Sequence, residues 1–449
     1  MKSTRSTSNV RTTNQEQGHA GTLLAGPEAK IVGQTPDWET DQDGRRAHLG
    51  RGNDSAASST LIVGASPAGL IAAIRLREEG VDVRVIDDLT ADGTHCFPTV
   101  LHPRTLRLLS SIGVAAPLEW RGHRVARLAV YMDGRRHAVL ELPSAGEPGS
   151  DTMTLPQDVL RGALLRRLSD LGTQVEWQTR LAAIEQSVAK VRVRLVRRER
   201  ADGRRRRFEP EWIDVAAQDV HAQFVIGADG TQSSVRRQLG IEWLPSCRRQ
   251  FYITYETADQ RAGNEAQLVI YEGFGNTIYP FQSGVSRFTF EVTNHTSAIP
   301  EVARLRQLLE SRMPWYAVEV DRSEWLGTTT VSPGVAARFG VGRVWLTGDA
   351  AHSNGPLGGQ DLNVGMVEAN HLALRVVQHI DRRGAIHLDL PYTEQRHLAW
   401  QRLWAIDPRT TGVGFDSIRR DVARVLPSLP ASGDDLDDLL AQLHDASTQ

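Results

Sequence analysis

Cysteine and lysine are scarce in this 449-residue chain. Its two cysteines, Cys96 and Cys247, are too few for a disulfide framework or a cysteine-built zinc site. Lysine occurs only as Lys2, Lys30 and Lys190, which removes nearly every position for a catalytic lysine. No apolar run approaches the ~20 residues of a membrane span. Neither sign of charge is in excess, since 52 Lys plus Arg against 54 Asp plus Glu leave a formal net charge of −2. A nucleic-acid or membrane-surface binder needs a basic excess, so neither partner is expected. What remains is a soluble globular composition, 40% hydrophobic and 24% charged, at a length that holds two domains or more.

Residues 1–59 are rich in Ser, Thr, Gln, Asn and Gly, show no helical or strand period, and read as a disordered or loosely docked extension. Leu23-Leu24 is too short for the apolar core of a secretory signal, so a cytoplasmic protein is expected. Order begins at Thr60. Leu61-Ile62-Val63 reads as a buried strand, Leu70 to Glu79 has helical spacing, and Val81 to Ile86 alternates and ends in Asp87-Asp88. A helix is expected from Asp158 to Leu171. Val191–Val196 and Phe208–Val215 flank the turn Ala201-Asp202-Gly203 as a hairpin, with arginines 204–207 at its tip. From Phe251 to Val292 aromatic and β-branched residues alternate, which is the signature of an antiparallel sheet. Helical spacing returns at Glu301–Met313, a strand follows at Arg343–Thr347, and a long helix starts near Leu362.

Three constellations carry chemistry. The first is Gly64-Ala65-Ser66-Pro67-Ala68-Gly69, set between a strand and a helix. A helix N-terminus there offers free backbone N–H groups and about half a positive charge, which suits a pyrophosphate. Gly64 permits the tight turn and Gly69 lets the helix approach the sheet, while Ser66 stands in the middle place usually held by glycine. Its hydroxyl either bonds a phosphate or holds the ligand slightly farther away. Asp87, at the end of the second strand, is placed to accept from ribose hydroxyls. The bland alternative is a glycine-rich turn without function.

The second constellation runs from Phe224 through Gly227-Ala228-Asp229-Gly230 to Arg236, a buried strand followed by small residues, an acid and a base. Alone it would pass for an ordinary Asp-Gly turn. The third, Val344 to His352, contains Gly348-Asp349 and continues through Pro356, Gly358-Gly359, Leu362 and Asn363 into a helix. It brings a carboxylate and a second helix N-terminus beside whatever the first motif binds. His352 reads as a packed loop histidine rather than a base. Tyr252, Tyr255, Tyr271, Phe274, Tyr279 and Phe281 lie in the expected sheet and are candidates for an apolar aromatic pocket, although strand alternation assigns half of them to core.

In this order and spacing the three motifs resemble the group A flavoprotein monooxygenases of the para-hydroxybenzoate hydroxylase type. The resemblance covers about Thr60 to Arg396, including Tyr392-x-Glu394-x-Arg396. It implies an α/β fold, a Rossmann-like FAD-binding domain with an antiparallel-sheet substrate domain. Segments 60–122, 151–245 and 332–385 would form the first, 123–150 and 246–331 the second, and 386–449 a C-terminal helical region. FAD is the implied cofactor, with NAD(P)H as co-substrate, and no metal. Asp87 would take the adenosine ribose, Gly64 to Gly69 the pyrophosphate, Asp349 the ribityl chain, and Gly358 to Asn363 the isoalloxazine. Asp229 and Arg236 match the family's Asp-Gly motif, and Arg104 and Gln157 sit where the family commonly contacts FAD. The implied activity is hydroxylation or epoxidation of an aromatic or conjugated small molecule by O₂ through a C4a-hydroperoxyflavin, in a monomer or homodimer.

Three positions depart from the family. Ser66 replaces the middle glycine, Asp361 replaces a glycine, and Glu368 stands where an aspartate is usual. Asp361 is expected to cap the helix beginning near Leu362, or to place negative charge near the flavin pyrimidine edge. A flavin halogenase shares the fold but uses a lysine and a Trp-x-Trp motif, and no two of the ten tryptophans stand two positions apart. A reductase or desaturase shares all three motifs and stays open, as does a flavin-fold binding protein without turnover. Without its first 59 residues the chain has about the length of the compact two-domain family members, so an appended thioredoxin-like domain is not expected.

Overall fold

The computed structural model of the protein describes residues 58–91, 98–115, 118, 120–143, 151–200, 212–259, 261, 263–294, 301–316, 320, 323–382, 389–404 and 425–447. The N-terminal extension up to Ala57, Cys96 and the hairpin tip with arginines 204–207 lie outside the described residues. Eight helices are described: α1 (Pro67–Glu78), α2 (Pro103–Ser111), α3 (Gln157–Asp170), α4 (Ser234–Gln238), α5 (Glu301–Arg312), α6 (Gln360–Arg382), α7 (Asp389–Leu403) and α8 (Asp434–Ser447). Among the described residues no helix is long and apolar enough to cross a membrane.

Five parallel strands make the centre of the first sheet. Across it stand Val344–Leu346, Trp212–Gly227, Ser58–Val63, Val83–Ile86 and Val175–Glu176. Their apolar runs do not alternate because both faces are covered: Leu61, Ile62, Val225, Ile226, Val344 and Trp345 are all wholly buried. On one face α1 packs between α6 and α3 and is itself buried over Leu70–Ile74. A helix apolar on nearly every side belongs in such an interior.

The expected hairpin is present, with Val191–Arg200 antiparallel to Trp212–Gly227. Its second strand and the buried strand before Asp229 are one continuous element. The first half of that strand is exposed and pairs with the hairpin, and the second half is buried in the parallel sheet.

The second sheet runs in the order Trp325–Val331, Gln250–Ala258, Val285–Val292, Phe274–Phe281, Glu265–Tyr271, Arg127–Met132 and Arg135–Glu141. It is antiparallel as expected, except that Glu265–Tyr271 and Arg127–Met132 run parallel. Alternation sends Ile253, Tyr255, Phe288 and Phe290 to one face, where Leu305 and Leu309 of α5 and the following Met313 close over them. The other face carries Tyr252, Thr254, Thr277, Thr289 and Glu291, which sit opposite one another in register.

The C-terminal helices divide between the sheets. Tyr392 of α7 meets Trp345 edge-on at 5.8 Å, while α8 packs on Arg135–Glu141, where Gln442 and Glu141 form bonds of 2.8 and 3.1 Å. Leu305 is wholly buried between α5 and the sheet. Leu305→Ala is therefore expected to destabilise the protein by about 2–5 kcal/mol. Urea unfolding should show a lower midpoint with an unchanged slope.

Candidate functional site

Parallel strands release their following loops at one edge of the sheet. Val63, Gly227 and Leu346, the last residues of their strands, lie in register, so the three motif loops start at one level. Gly64 has φ +107°, and a Cβ there would fall 2.3 Å from the Ala228 carbonyl oxygen; one at Gly69 would fall 2.1 Å from the Gly64 oxygen. Glycine is required at both. The Ser66 hydroxyl caps α1, accepting from the Gly69 N–H at 3.2 Å, and donates to the Ala228 carbonyl at 3.0 Å. Pro67 opens the helix where a missing N–H costs nothing, and Ala68 packs inside it. Asp87 accepts from the Ala65 N–H at 2.6 Å and from the Leu89 N–H at 2.8 Å, which fixes the turn from the neighbouring strand.

These loops border a cleft of about 840 Å³ lined by Gly64, Ser66, Pro67, Asp87, Gln157, Asp229 and Asp349. Arg161, Arg180 and Arg237 also line it, and sequence reasoning did not single them out. Arg161 was within reach of such reasoning, because it stands one helical turn after Gln157 on α3. Asp229 accepts from the Ser233 hydroxyl, the Ser234 hydroxyl and N–H, and the Val235 N–H at 2.5–3.1 Å, so its carboxylate also anchors α4. Arg236 turns away from the cleft. Its buried guanidinium donates to the carbonyls of Ala350 and Thr231 at 2.8 and 2.7 Å and lies over Trp243, tying the second motif to the third.

In the third motif Gly348 has φ +59° and opens a single 3₁₀ turn that presents Asp349 to the cleft. The protein around Asp349 and the Asp361 carboxylate push its pKa up, while His352 opposes them. Helix α6 begins at Gln360, which places Asp361 inside its first turn rather than at the cap expected from sequence. Its carboxylate instead accepts from the Asn354 N–H at 2.7 Å and the Gly355 N–H at 3.0 Å, gathering the loop before the helix. Asn363 is wholly buried and donates to the carbonyls of Val100 and Gly359 at 2.6 and 2.8 Å while accepting from the His102 N–H.

Two partners of this loop carried no sequence signal. His102 contacts the Gly358 carbonyl at 2.9 Å, and burial pushes its pKa down to about 4 despite that bond. Residues Val425–Ala431 lie along the loop: a Cβ at Gly358 would fall 2.7 Å from the Ser428 backbone, and the Gln360 amide donates to the Leu429 and Ala431 carbonyls. Gly359 abuts the Val100 carbonyl, while Pro356 and Leu362 are half-buried. Arg104 is exposed beside Gly433.

The aromatic candidates separate by face. Tyr255 and Tyr271 pack into the cluster under α5, and Tyr279 and Phe281 join the main core. Tyr252 lines a second cavity of about 300 Å³, with Gln250, Gly275, Glu291, Asn354, Gly355, Leu357 and Trp404.

A parallel sheet that gathers three small-residue loops at one edge is the architecture of a dinucleotide-binding protein. Its family is narrower: residues 57–406 match the FAD binding domain family, and the chain belongs to it. Among curated relatives, 6-methylpretetramide 4-monooxygenase of Streptomyces rimosus is 28% identical over 371 residues, 81% of this chain and 63% of the relative. Pentachlorophenol 4-monooxygenase of Sphingobium chlorophenolicum is 28% identical over 371 residues, covering 78% of this chain and 64% of that one. The chain thus spans less than two thirds of the length of these relatives. The solved structure of p-nitrophenol 4-monooxygenase PnpA from Pseudomonas putida DLL-E4 shares the fold, with TM-score 0.62 over 87% of this chain and 98% of that chain at 20% identity. The cofactor of the family is FAD, and the cradle at Gly64, the α1 N-terminus and the carboxylates in the cleft suit it.

Beneath the third motif lies a buried set of charges. His352 stacks on Trp400 at 4.2 Å, its Nε2 stands 2.9 Å from Glu368, and Arg396 approaches Glu368 at 3.4 Å. Burial alone would lower the His352 pKa, but the Glu368 charge and contacts with Asp361 and Glu368 hold it up at about 9. A histidine whose folded pKa lies above its ordinary 6.5 stabilises fully below that value, and the contribution fades as pH rises through about 9. Stability should therefore fall between pH 6.5 and 9 in urea titrations. Glu368→Gln should flatten that dependence and cost about 3–5 kcal/mol at pH 6.5 by leaving a buried cation unpaired.

Proposed function

We propose that the protein is an FAD-dependent monooxygenase that uses NAD(P)H and O₂ to hydroxylate or epoxidise an aromatic or conjugated small molecule. The observation that carries this reading is that one loop borders both cavities. Asp349 stands in the wall of the larger cleft, and Asn354, Gly355 and Leu357 stand in the wall of the smaller one. A cofactor lying along that loop is led from a phosphate-binding turn to a separate chamber.

The α1 N-terminus and its loop hold the pyrophosphate, Asp87 the adenosine ribose, Asp349 the ribityl hydroxyls, and the turn from Gly358 to Asn363 the ring system. Arg161, Arg180 and Arg237 supply the positive charge that the phosphates call for. Bound FAD supplies the redox chemistry by which oxygen is activated for transfer to an organic substrate. The chain's own part is to orient the substrate and to exclude water, for which Leu357, Tyr252 and Trp404 provide apolar wall. Segments 60–122, 151–245 and 332–385 carry the cofactor on this reading, and 123–150 with 246–331 carry the substrate. Relatives named 6-methylpretetramide 4-monooxygenase and pentachlorophenol 4-monooxygenase support an aromatic substrate. The protein works in the cytoplasm as a monomer or homodimer.

The test is the visible spectrum of the purified protein, repeated without oxygen after adding NADPH. An oxidised-flavin spectrum that bleaches and returns on admitting air is expected, and failure to take up FAD at all sinks the reading. Asp349→Ala should weaken FAD about tenfold to hundredfold, because a hydrogen bond to a charged group contributes roughly 1.5–3 kcal/mol. Fluorescence titration of the apoprotein with FAD measures it.

A further inference from the structure

Asn354 joins three segments of the chain at the wall of the smaller cavity. Its side-chain oxygen accepts from the indole N–H of Trp404, just beyond α7, at 2.9 Å, and its amide donates to the Pro427 carbonyl at 3.0 Å. All three residues line the cavity of about 300 Å³, with Gly355 and Leu357 from the same loop as Asn354. Both ends of the Asn354 side chain are engaged, so its direction depends on how its backbone is held.

Two consecutive N–H groups of that turn go to one carboxylate. The Asn354 N–H donates to the Asp361 oxygens at 2.7 and 2.9 Å, the Gly355 N–H donates to one of them at 3.0 Å, and the Ser353 hydroxyl stands 3.4 Å from it. Hydrogen bonds to an ionised acceptor are among the strong ones. Gly355 has φ +121°, and glycine there leaves the turn permissive, so its shape has to be set from outside. His352 Nδ1, 3.9 Å from Asp361, balances the charge that does so. The glycine usual at position 361 has no side chain with which to accept any of these bonds.

We propose that Asp361 is the positioning residue of this cavity: its carboxylate sets the turn at Asn354 and Gly355, and through the Asn354 side chain it fixes Trp404 and the Pro427 backbone in the cavity wall. The Gly64 turn and the α1 N-terminus, which seat the pyrophosphate, share none of these bonds. The departure at 361 therefore shapes the smaller cavity and leaves that seat as it is. That the cavity receives an organic substrate rests on the monooxygenase reading, whereas the bonds that build its wall do not.

Two measurements on the full chain test this without any substrate. One is hydrogen exchange read by mass spectrometry over residues 353–357, and the other is acrylamide quenching of Trp404, taken as the difference from Trp404→Phe. Asp361→Gly should speed exchange at the Asn354 and Gly355 amides about tenfold or more and raise the Trp404 quenching constant about twofold. Asp361→Asn, which keeps one accepting oxygen, should fall between Asp361→Gly and wild type. Asn354→Ala should raise Trp404 quenching as much as Asp361→Gly does, and the two together should do no more than either alone, as for residues that act through one another. FAD affinity should be kept in these variants. The proposal is overturned if Asp361→Gly leaves exchange or Trp404 quenching at the wild-type value, if the two substitutions add, or if Asp361→Gly abolishes FAD binding. Should Asp361→Gly fail to fold, Asp361→Asn and Asn354→Ala decide. If wild type takes up no FAD, the monooxygenase reading falls, while exchange and quenching still decide the role of Asp361.

Discussion

At the carboxyl edge of the parallel sheet three backbone segments come into contact, and no side chain fits between them. Gly64 meets Ala228, Gly69 meets Gly64, and a Cβ on Gly348 would stand 3.0 Å from the Ala68 methyl. This close approach depends on strands whose last residues are in register, and the rest of the site depends on it. It brings the Ala228 carbonyl within reach of the Ser66 hydroxyl and the Ala350 carbonyl within reach of Arg236. The three motifs thus become one floor, held by backbone groups that leave Asp87 and Asp349 facing the cleft.

The charges under that floor are arranged to cancel. Asp361 and Glu368 are two acids, and protonated His352 and Arg396 are two cations. Buried charges are tolerated when paired and further hydrogen-bonded, and Asp361 meets that condition through the Asn354 and Gly355 N–H groups. Its negative charge is partly offset by His352 and by these N–H groups, and what remains is felt by Asp349 in the cleft wall. The departures at 361 and 368 belong to one set with His352, which explains why a histidine read as loop packing is both packed and charged.

What the sequence made legible was chemistry decided by near neighbours. The turn at Gly64, the strand periods and the Asp-Gly turns all depend on residues a few places apart. The use of the Ser66 hydroxyl was not legible, because one partner lies 162 positions away. Asp361 is expected as a helix cap, and its bonds to the Asn354 and Gly355 N–H groups tie it to the loop before the helix instead. The long strand reads as two separate strands because its exposed half lacks the apolar signal of its buried half. Alternation separated Tyr252 from Tyr255, yet only the position of α5 told which of the two faces the chamber.

That last point has a structural consequence for the chamber itself. A sheet with one polar and one apolar face normally turns the polar face to water. Here α5 supplies the apolar cover, with Leu305 and Leu309 over Phe288 and Phe290, which frees the polar face to line an interior. The outer helix and the inner chemistry are therefore coupled through strand parity. A one-residue slip would exchange Glu291 for Phe290 and bury a carboxylate under α5. The pairing of Tyr252 with Glu291 fixes the register and furnishes the chamber in the same step.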